Sequence, residues 1–66
     1  MSEEMSIAQR LRTLRGDKTQ KEVADAIGIT PSALANYESG LRIPRDSVKK
    51  RIAAYYKRSV DFIFFK

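Results

Sequence analysis

Apolar residues recur along this chain at spacings of three and four, which is the spacing of one face of an α-helix. Ile7, Leu11 and Leu14 show this spacing first. The later apolar positions with the same spacing are Val23, Ala24, Ile27, Leu34, Tyr37, Val48, Ile52, Tyr55 and Tyr56. No stretch alternates apolar and polar residues as a half-buried strand does. The pattern therefore predicts an all-α fold.

Glycine, proline and capping residues divide the pattern into five short helices. The predicted helices cover about residues 6–15, 20–27, 31–39 and 44–56, followed by a short helix that begins after Ser59. Thr19 and Glu22 have the spacing of a capping box in front of the second helix. Thr30 is the expected cap of the third helix, with Pro31 at its first position, where a missing N–H does no harm. We expect the five helices to surround one core.

The stretch from residue 20 to residue 39 has the pattern of a helix-turn-helix. Two short helices are joined by Gly28, Ile29 and Thr30, and a turn of this length that contains glycine is typical of the motif. Ala24 is small enough for a second helix to cross close to it, and Leu34 is apolar where the two helices meet. An ordinary helical hairpin also has a glycine turn, so the turn alone does not identify the motif.

A more specific pattern extends over three nearly continuous segments. They are Thr19-Gln20-Lys21-Glu22-Val23-Ala24, Ile27-Gly28-Ile29-Thr30-Pro31-Ser32-Ala33-Leu34 and Asn36-Tyr37-Glu38-Ser39-Gly40. With Pro44 and the later apolar positions, they resemble the Cro/C1-type (XRE-like) helix-turn-helix family of phage repressors and bacterial regulators. The resemblance covers residues 7–64 and implies a compact five-helix lambda-repressor-like DNA-binding domain, with an N-terminal extension at residues 1–6. Lys49 stands where that family has leucine, and Lys57-Arg58 replaces a glycine and an apolar residue.

The resemblance also implies which side chains meet DNA, because in this family the third helix enters the major groove. The implied base contacts are Pro31, Ser32, Ala35 and Asn36. An asparagine can form two hydrogen bonds with an adenine edge, whereas proline and alanine offer only apolar contact. This face is small and uncharged, so we expect DNA shape to contribute to specificity.

Phosphate contacts are expected from residues around the recognition helix. By resemblance and by position they are Gln20, Arg42, Arg45, Lys49 and Lys50. For the two lysines, a solvated surface charge is an equally good interpretation. The resemblance further implies an internal ion pair between Arg15 and Glu38, to which we assign a structural role.

Composition agrees with a polyanionic partner. The chain has 66 residues, of which 13 are Lys or Arg and eight are Asp or Glu, for a net charge of +5. All of this excess lies in the second half, where residues 34–66 hold eight basic and three acidic residues. A positive surface of this kind suits nucleic acid, although it also serves solubility.

The same composition argues against several other classes of protein. Cysteine and histidine are both absent, so disulfides, thiolate metal sites and histidine bases are excluded. We therefore expect no enzyme activity, no metal and no cofactor. The chain looks too short for an effector pocket of the usual size, so no small-molecule ligand is expected. It has no long apolar run and its first residues are acidic, which predicts a cytoplasmic protein without a membrane segment.

The predicted function is a sequence-specific regulator of transcription, phage or bacterial, that binds double-stranded DNA. Operators of this family are usually two-fold symmetric, so we expect a homodimer, and we expect it to act as a repressor. Phe62 and Phe65 are the candidate dimer contacts, because a short terminal helix cannot bury every apolar side chain from Val60 to Phe65. The alternative is a protein-interaction module, such as an antitoxin that binds a partner protein.

Overall fold

Five α-helices follow one another in the computed structural model, which describes residues 6–65. They are α1 (Ile7–Arg15), α2 (Gln20–Ile27), α3 (Pro31–Ser39), α4 (Asp46–Tyr56) and α5 (Val60–Phe64). The described residues form no strand. The all-α fold with five helices, predicted from the sequence, is therefore confirmed, with α2 and α3 at the predicted bounds.

Hydroxyl side chains begin four of the five helices. Ser6, Thr19, Thr30 and Ser59 each accept a hydrogen bond from a backbone N–H in the first turn of the helix that follows. In α2 the predicted capping box is complete, because Glu22 Oε1 also accepts from the backbone N–H of Thr19 at 3.0 Å. These bonds pair N–H groups that no helical carbonyl can reach.

Two helix boundaries differ from the prediction. Ser6 is not the first helical residue of α1 but its cap, with an extended backbone at ψ 164°. Pro44 does not begin α4, because Arg45 is extended at ψ 166° and the helix starts at Asp46. Pro44 is instead buried in the loop. The remainder of the predicted N-terminal extension, residues 1–5, lies outside the described residues.

Each helix contributes at least one fully buried apolar side chain to a single core, and the largest of them come one from each helix. These side chains are Leu11, Val23, Leu34, Ile52 and Ile63. Burial of each contributes roughly 1.5–3 kcal/mol relative to exposure, so the core depends on all five helices together. Ala8, which the apolar periodicity did not select, is buried as well.

The third and fifth helices both pack on α1, and each packs on one further helix. α3 packs on α1 and α2, while α5 packs on α1 and α4. A long side chain joins the first and last helices, because Arg10 Nη1 donates a hydrogen bond to the carbonyl of Ile63 over 2.7 Å. Within residues 6–65 no helix has both the length and the apolar character needed to cross a bilayer.

Candidate nucleic-acid interface

The turn between α2 and α3 fixes the angle at which α3 leaves the body of the domain. Gly28 has φ 92°, a left-handed conformation that glycine adopts without a steric penalty. Its N–H and that of Ile29 both donate to the carbonyl of Ala24, at 2.8 and 3.0 Å. Ala24 itself is fully buried, so α3 crosses α2 closely at this point. The turn therefore holds two short helices in one fixed relation.

α3 presents a small polar face away from the core. Leu34 and Glu38 are its buried side chains. The predicted base-contacting residues all keep exposed surface: Pro31 and Ser32 are exposed, and Ala35 and Asn36 are half-buried. The structure thus brings the four predicted residues together on one accessible face of one helix.

The backbone of Asn36 also positions the loop that follows α3. Its carbonyl oxygen accepts hydrogen bonds from the N–H groups of Leu41 and Arg42, at 3.0 and 3.3 Å. The hydroxyl of Ser39 donates to the same oxygen at 3.1 Å. Arg42 is exposed, so an accessible guanidinium lies in a loop that is tied to the candidate base-contacting residue. The sequence pattern gave no signal for this connection.

Glu38 is the one buried charged residue among the described positions, with 2% of its surface exposed. Its carboxylate accepts two hydrogen bonds from Arg15 Nε, at 2.8 and 3.1 Å, which forms the ion pair implied by the resemblance. It also accepts from Gln20 Nε2 at 3.0 Å. Arg12 donates to the main-chain carbonyl of Glu38. One residue of α3 therefore holds side chains from α1 and from the start of α2.

The bond to Glu38 alters the predicted role of Gln20. One N–H of its carboxamide is used inside the protein, and the second remains available to a phosphate oxygen. At the N-terminus of α2, the N–H of Glu22 is already paired with Thr19 Oγ1 at 3.0 Å. Hydrogen bonds from Thr19, first from its backbone N–H, lower the pKa of Glu22 and keep it anionic. A contact to phosphate at this helix end would therefore depend on the Gln20 side chain more than on the helix N-terminus.

The five predicted phosphate contacts do not all face solvent. Arg42, Arg45 and Lys50 are exposed. The Lys49 side chain is only 14% exposed, and its ammonium lies 4.9 Å from the centroid of the Phe65 ring. This placement makes Lys49 the least accessible of the four cations, and its contact with phosphate stays a prediction that the salt dependence of DNA binding can test.

The physical reason is the position that Lys49 occupies in α4. The side chain stands where the resembled family has leucine, and it is mostly buried with its ammonium near the rings of Phe64 and Phe65. The ring centroid of Phe64 is 5.6 Å from the ammonium, and a carboxylate oxygen of Asp46 is 3.9 Å away.

A further cation lies beside the turn, although the sequence did not single it out. Arg51 is exposed, and a Cβ placed on Gly28 would stand 3.1 Å from its Nη1. Leu41 and Ile43, on either side of Arg42, are large exposed apolar side chains that were also missed. Loop residues have no periodicity from which their exposure could be read.

The two candidate dimer contacts remain accessible. Phe62 is 48% exposed and Phe65 is 66% exposed, whereas Ile63 and Phe64 are buried between them. The rings lie in separate depressions. The Phe62 ring faces α1 and Arg58, and the Phe65 ring faces the first turns of α4.

An open groove of about 540 Å³ lies between the start of α1 and the loop after α3. Arg12, Tyr37, Arg42 and Ile43 are among its lining residues. Its volume falls within the range of small-molecule sites, roughly 300–1,000 Å³. The groove is open to solvent and does not enclose a ligand, so the expectation that no small molecule binds stays a prediction.

Comparison with known proteins agrees with the helix-turn-helix geometry of α2 and α3. A family model described as helix-turn-helix matches residues 9–63, which is most of the chain and includes all five helices apart from their extreme ends. A search of curated proteins gave no match.

Proposed function

The chain belongs to the Cro/C1-type (XRE-like) helix-turn-helix family and is a DNA-binding regulator; from this premise we propose that it is a repressor that binds a two-fold symmetric operator as a homodimer. The single observation that supports sequence-specific binding is the outward face of α3. Ser32 and Asn36 lie there on a helix fixed by the turn at Gly28, beside the exposed Arg42. Repression needs no further activity, since a protein bound over a promoter excludes polymerase.

Asn36 is the proposed source of base discrimination. Its carboxamide matches the pattern that adenine presents in the major groove, because the amide N–H donates to N7 and the amide oxygen accepts from N6–H. Ser32 can bond to a base or to a phosphate, and Pro31 and Ala35 offer apolar contact to a thymine methyl. Because the face carries no charge, we assign part of the specificity to the shape of the duplex.

The proposed phosphate contacts are Arg42, Arg45, Lys50 and the free N–H of Gln20. Contacts of these groups with the phosphate backbone would set the depth and register of α3 in the groove without reading sequence. These positions also favour DNA over the alternative of a domain that binds only protein. A domain of that kind gains nothing from an exposed Arg42 held next to Asn36 by main-chain hydrogen bonds.

We place the dimer contact at Phe65. The depression beside this ring is lined by Asp46, Lys49, Lys50 and Val60. A two-fold interface brings a patch against a copy of itself, so the patch must be self-complementary. Here the exposed residues Asp46 and Lys50 line the same depression as the ring of Phe65. Asp46 of one copy can thus pair with Lys50 of the other while the rings are buried between them.

Selection of bound fragments from random duplex DNA tests the function. We expect a symmetric site with half-sites about one helical turn apart, roughly 34–36 Å. Asn36→Ala should reduce discrimination at one base pair of each half-site by about tenfold or more. Thr13→Ala, at an exposed position of α1 outside the proposed DNA contacts, is the control and should keep the selected sequence. Recovery of random fragments by the unaltered chain would refute sequence-specific binding.

Sedimentation on the selected duplex tests the dimer separately. We expect two copies of the chain on each symmetric site. With Phe65→Asp, only one copy should bind to each duplex, at a single half-site. With Phe62→Ala, two copies should still bind. One copy per symmetric site for the unaltered chain contradicts the dimer but leaves DNA recognition intact.

A further inference from the structure

A second depression on the domain differs in charge from the one beside Phe65. We call it the Phe62 groove; it is lined by Arg10, Thr13, Leu14, Arg58 and Phe62 and has a volume of about 250 Å³. Its floor is apolar, formed by the half-buried Leu14 and the exposed ring of Phe62. Its sides are provided by α1 and by the junction between α4 and α5.

Two guanidinium groups border this floor, and both are held in place. The guanidinium carbon of Arg58 lies 5.7 Å from the centroid of the Phe62 ring, within cation–π range. Arg10 is fixed by its 2.7 Å hydrogen bond to the carbonyl of Ile63. Side chains that are already ordered lose less conformational entropy when a ligand binds.

Among residues 6–65, no residue that lines the Phe62 groove is acidic. Asp61, the neighbour of Phe62 in sequence, is not part of the lining. This distinguishes the groove from the Phe65 depression, where Asp46 accompanies the lysines. A second copy placed on the Phe62 groove by a two-fold axis would bring arginines against arginines, which is unfavourable. A self-association surface is therefore not what this groove fits.

We propose that the Phe62 groove is a docking site for an acidic segment of a partner protein that carries a large apolar side chain. The apolar side chain would cover Leu14 and the Phe62 ring, and flanking carboxylates would meet Arg10 and Arg58. An aromatic anchor with arginines beside it is the composition of interface hot spots. Guanidinium groups also form bidentate hydrogen bonds with carboxylates.

The position of the groove allows the partner and DNA to bind together. The groove is formed by α1, Arg58 and α5, and none of its lining residues belongs to α2 or α3. The same chain can therefore hold an operator through α3 while it holds a second protein through α5. This inference goes beyond DNA binding and does not depend on the dimer.

A labelled synthetic peptide is the probe that tests it. The peptide consists of aspartate and glutamate residues interrupted by two phenylalanines. Fluorescence anisotropy measures its binding to the full chain. Two control peptides replace the acids by lysine or the phenylalanines by serine. We expect the acidic apolar peptide to bind and each control to bind at least about tenfold more weakly, because both charge and apolar area contribute.

Matched variants locate the site. Phe62→Ala and Arg58→Glu should each weaken binding of the peptide about tenfold, while Phe65→Ala should leave it unchanged. Thermal unfolding of each variant establishes that the fold is retained. Absence of binding, equal binding of the lysine peptide, or an equal loss with Phe65→Ala would overturn the proposal. Competition between peptide and operator would overturn simultaneous binding.

Discussion

Arg15 Nε lies 2.8 Å from Glu38 Oε2, and this ion pair joins the last turn of α1 to the recognition helix. Glu38 is almost fully buried, whereas Arg15 keeps some contact with solvent. Gln20 completes the cluster with its 3.0 Å hydrogen bond to the same carboxylate. The pair thus connects the stability of the core with the placement of a proposed phosphate contact.

Removal of one partner from this pair should be strongly destabilising. Glu38→Ala leaves Arg15 without its carboxylate, and breaking a buried pair costs roughly 3–5 kcal/mol, which is a large part of the stability of a small domain. Urea unfolding measures the loss. The exposed pair of Lys21 and Asp25, 2.9 Å apart on α2, provides the control. Asp25→Asn should leave the urea midpoint almost unchanged, and an equal effect of both changes would contradict the structural role of Glu38.

The hydroxyl of Tyr56 is buried and has no hydrogen-bond partner in the described part of the chain. Tyr56→Phe removes this unpaired group and should raise the free energy of unfolding at neutral pH by about 1 kcal/mol. Tyr55→Phe is the matched control, since the Tyr55 hydroxyl is not a buried unpaired group. A clear loss of stability in Tyr56→Phe would show that the hydroxyl is paired in solution.

Alkaline pH gives a second test of the same residue. Burial, and then the negative charge of Glu38, raise the pKa of Tyr56 from 10.0 to about 12. The folded chain therefore holds this proton more tightly than the unfolded chain does. The resulting stabilisation is complete below pH 10.0 and is lost as the pH rises toward about 12. We expect unfolding curves of the Phe variant to show a smaller loss of stability across this window, and parallel curves would contradict the assignment.

Lys57 ends α4 in the left-handed conformation, with φ 58° and ψ 43°. It is the one described non-glycine residue with positive φ, at a position where a helix end usually has glycine. Lys57→Gly should therefore stabilise the domain by about 1 kcal/mol in thermal or urea unfolding. Lys57→Ala removes the charge but keeps the Cβ, so it should give no comparable gain. Equal stabilisation by both substitutions would attribute the effect to charge.

The salt dependence of DNA binding should distinguish Arg42 from Lys49, which are both phosphate contacts in the sequence-based prediction. Arg42→Met removes an exposed charge from the loop after α3, and the slope of log K against log salt should fall by about one. Lys49→Met keeps the packed methylene groups and removes an ammonium that rests on the rings of Phe64 and Phe65. For Lys49→Met, the slope of log K against log salt should stay unchanged. A fall equal to that of Arg42→Met would show that Lys49 contacts phosphate.

Local signals in the sequence were sufficient for the helices and the turn. The bounds of α2 and α3 and the capping box of Thr19 and Glu22 depend on residues three or four positions apart. Interactions over such short separations are formed by the backbone conformation itself, so residue order is enough to predict them. The resemblance to a family supplied the pairing of Arg15 with Glu38, which periodicity does not contain.

Only the tertiary structure decided which long side chains meet across helices. Three contacts join residues on different helices: Gln20 with Glu38, Arg10 with Ile63, and Lys49 with Phe64. Lysine and arginine side chains are long and flexible, so their partners depend on the angle at which two helices pack and on which surface is left open. For the same reason, only the folded chain separates the cationic Phe62 groove from the mixed-charge depression at Phe65.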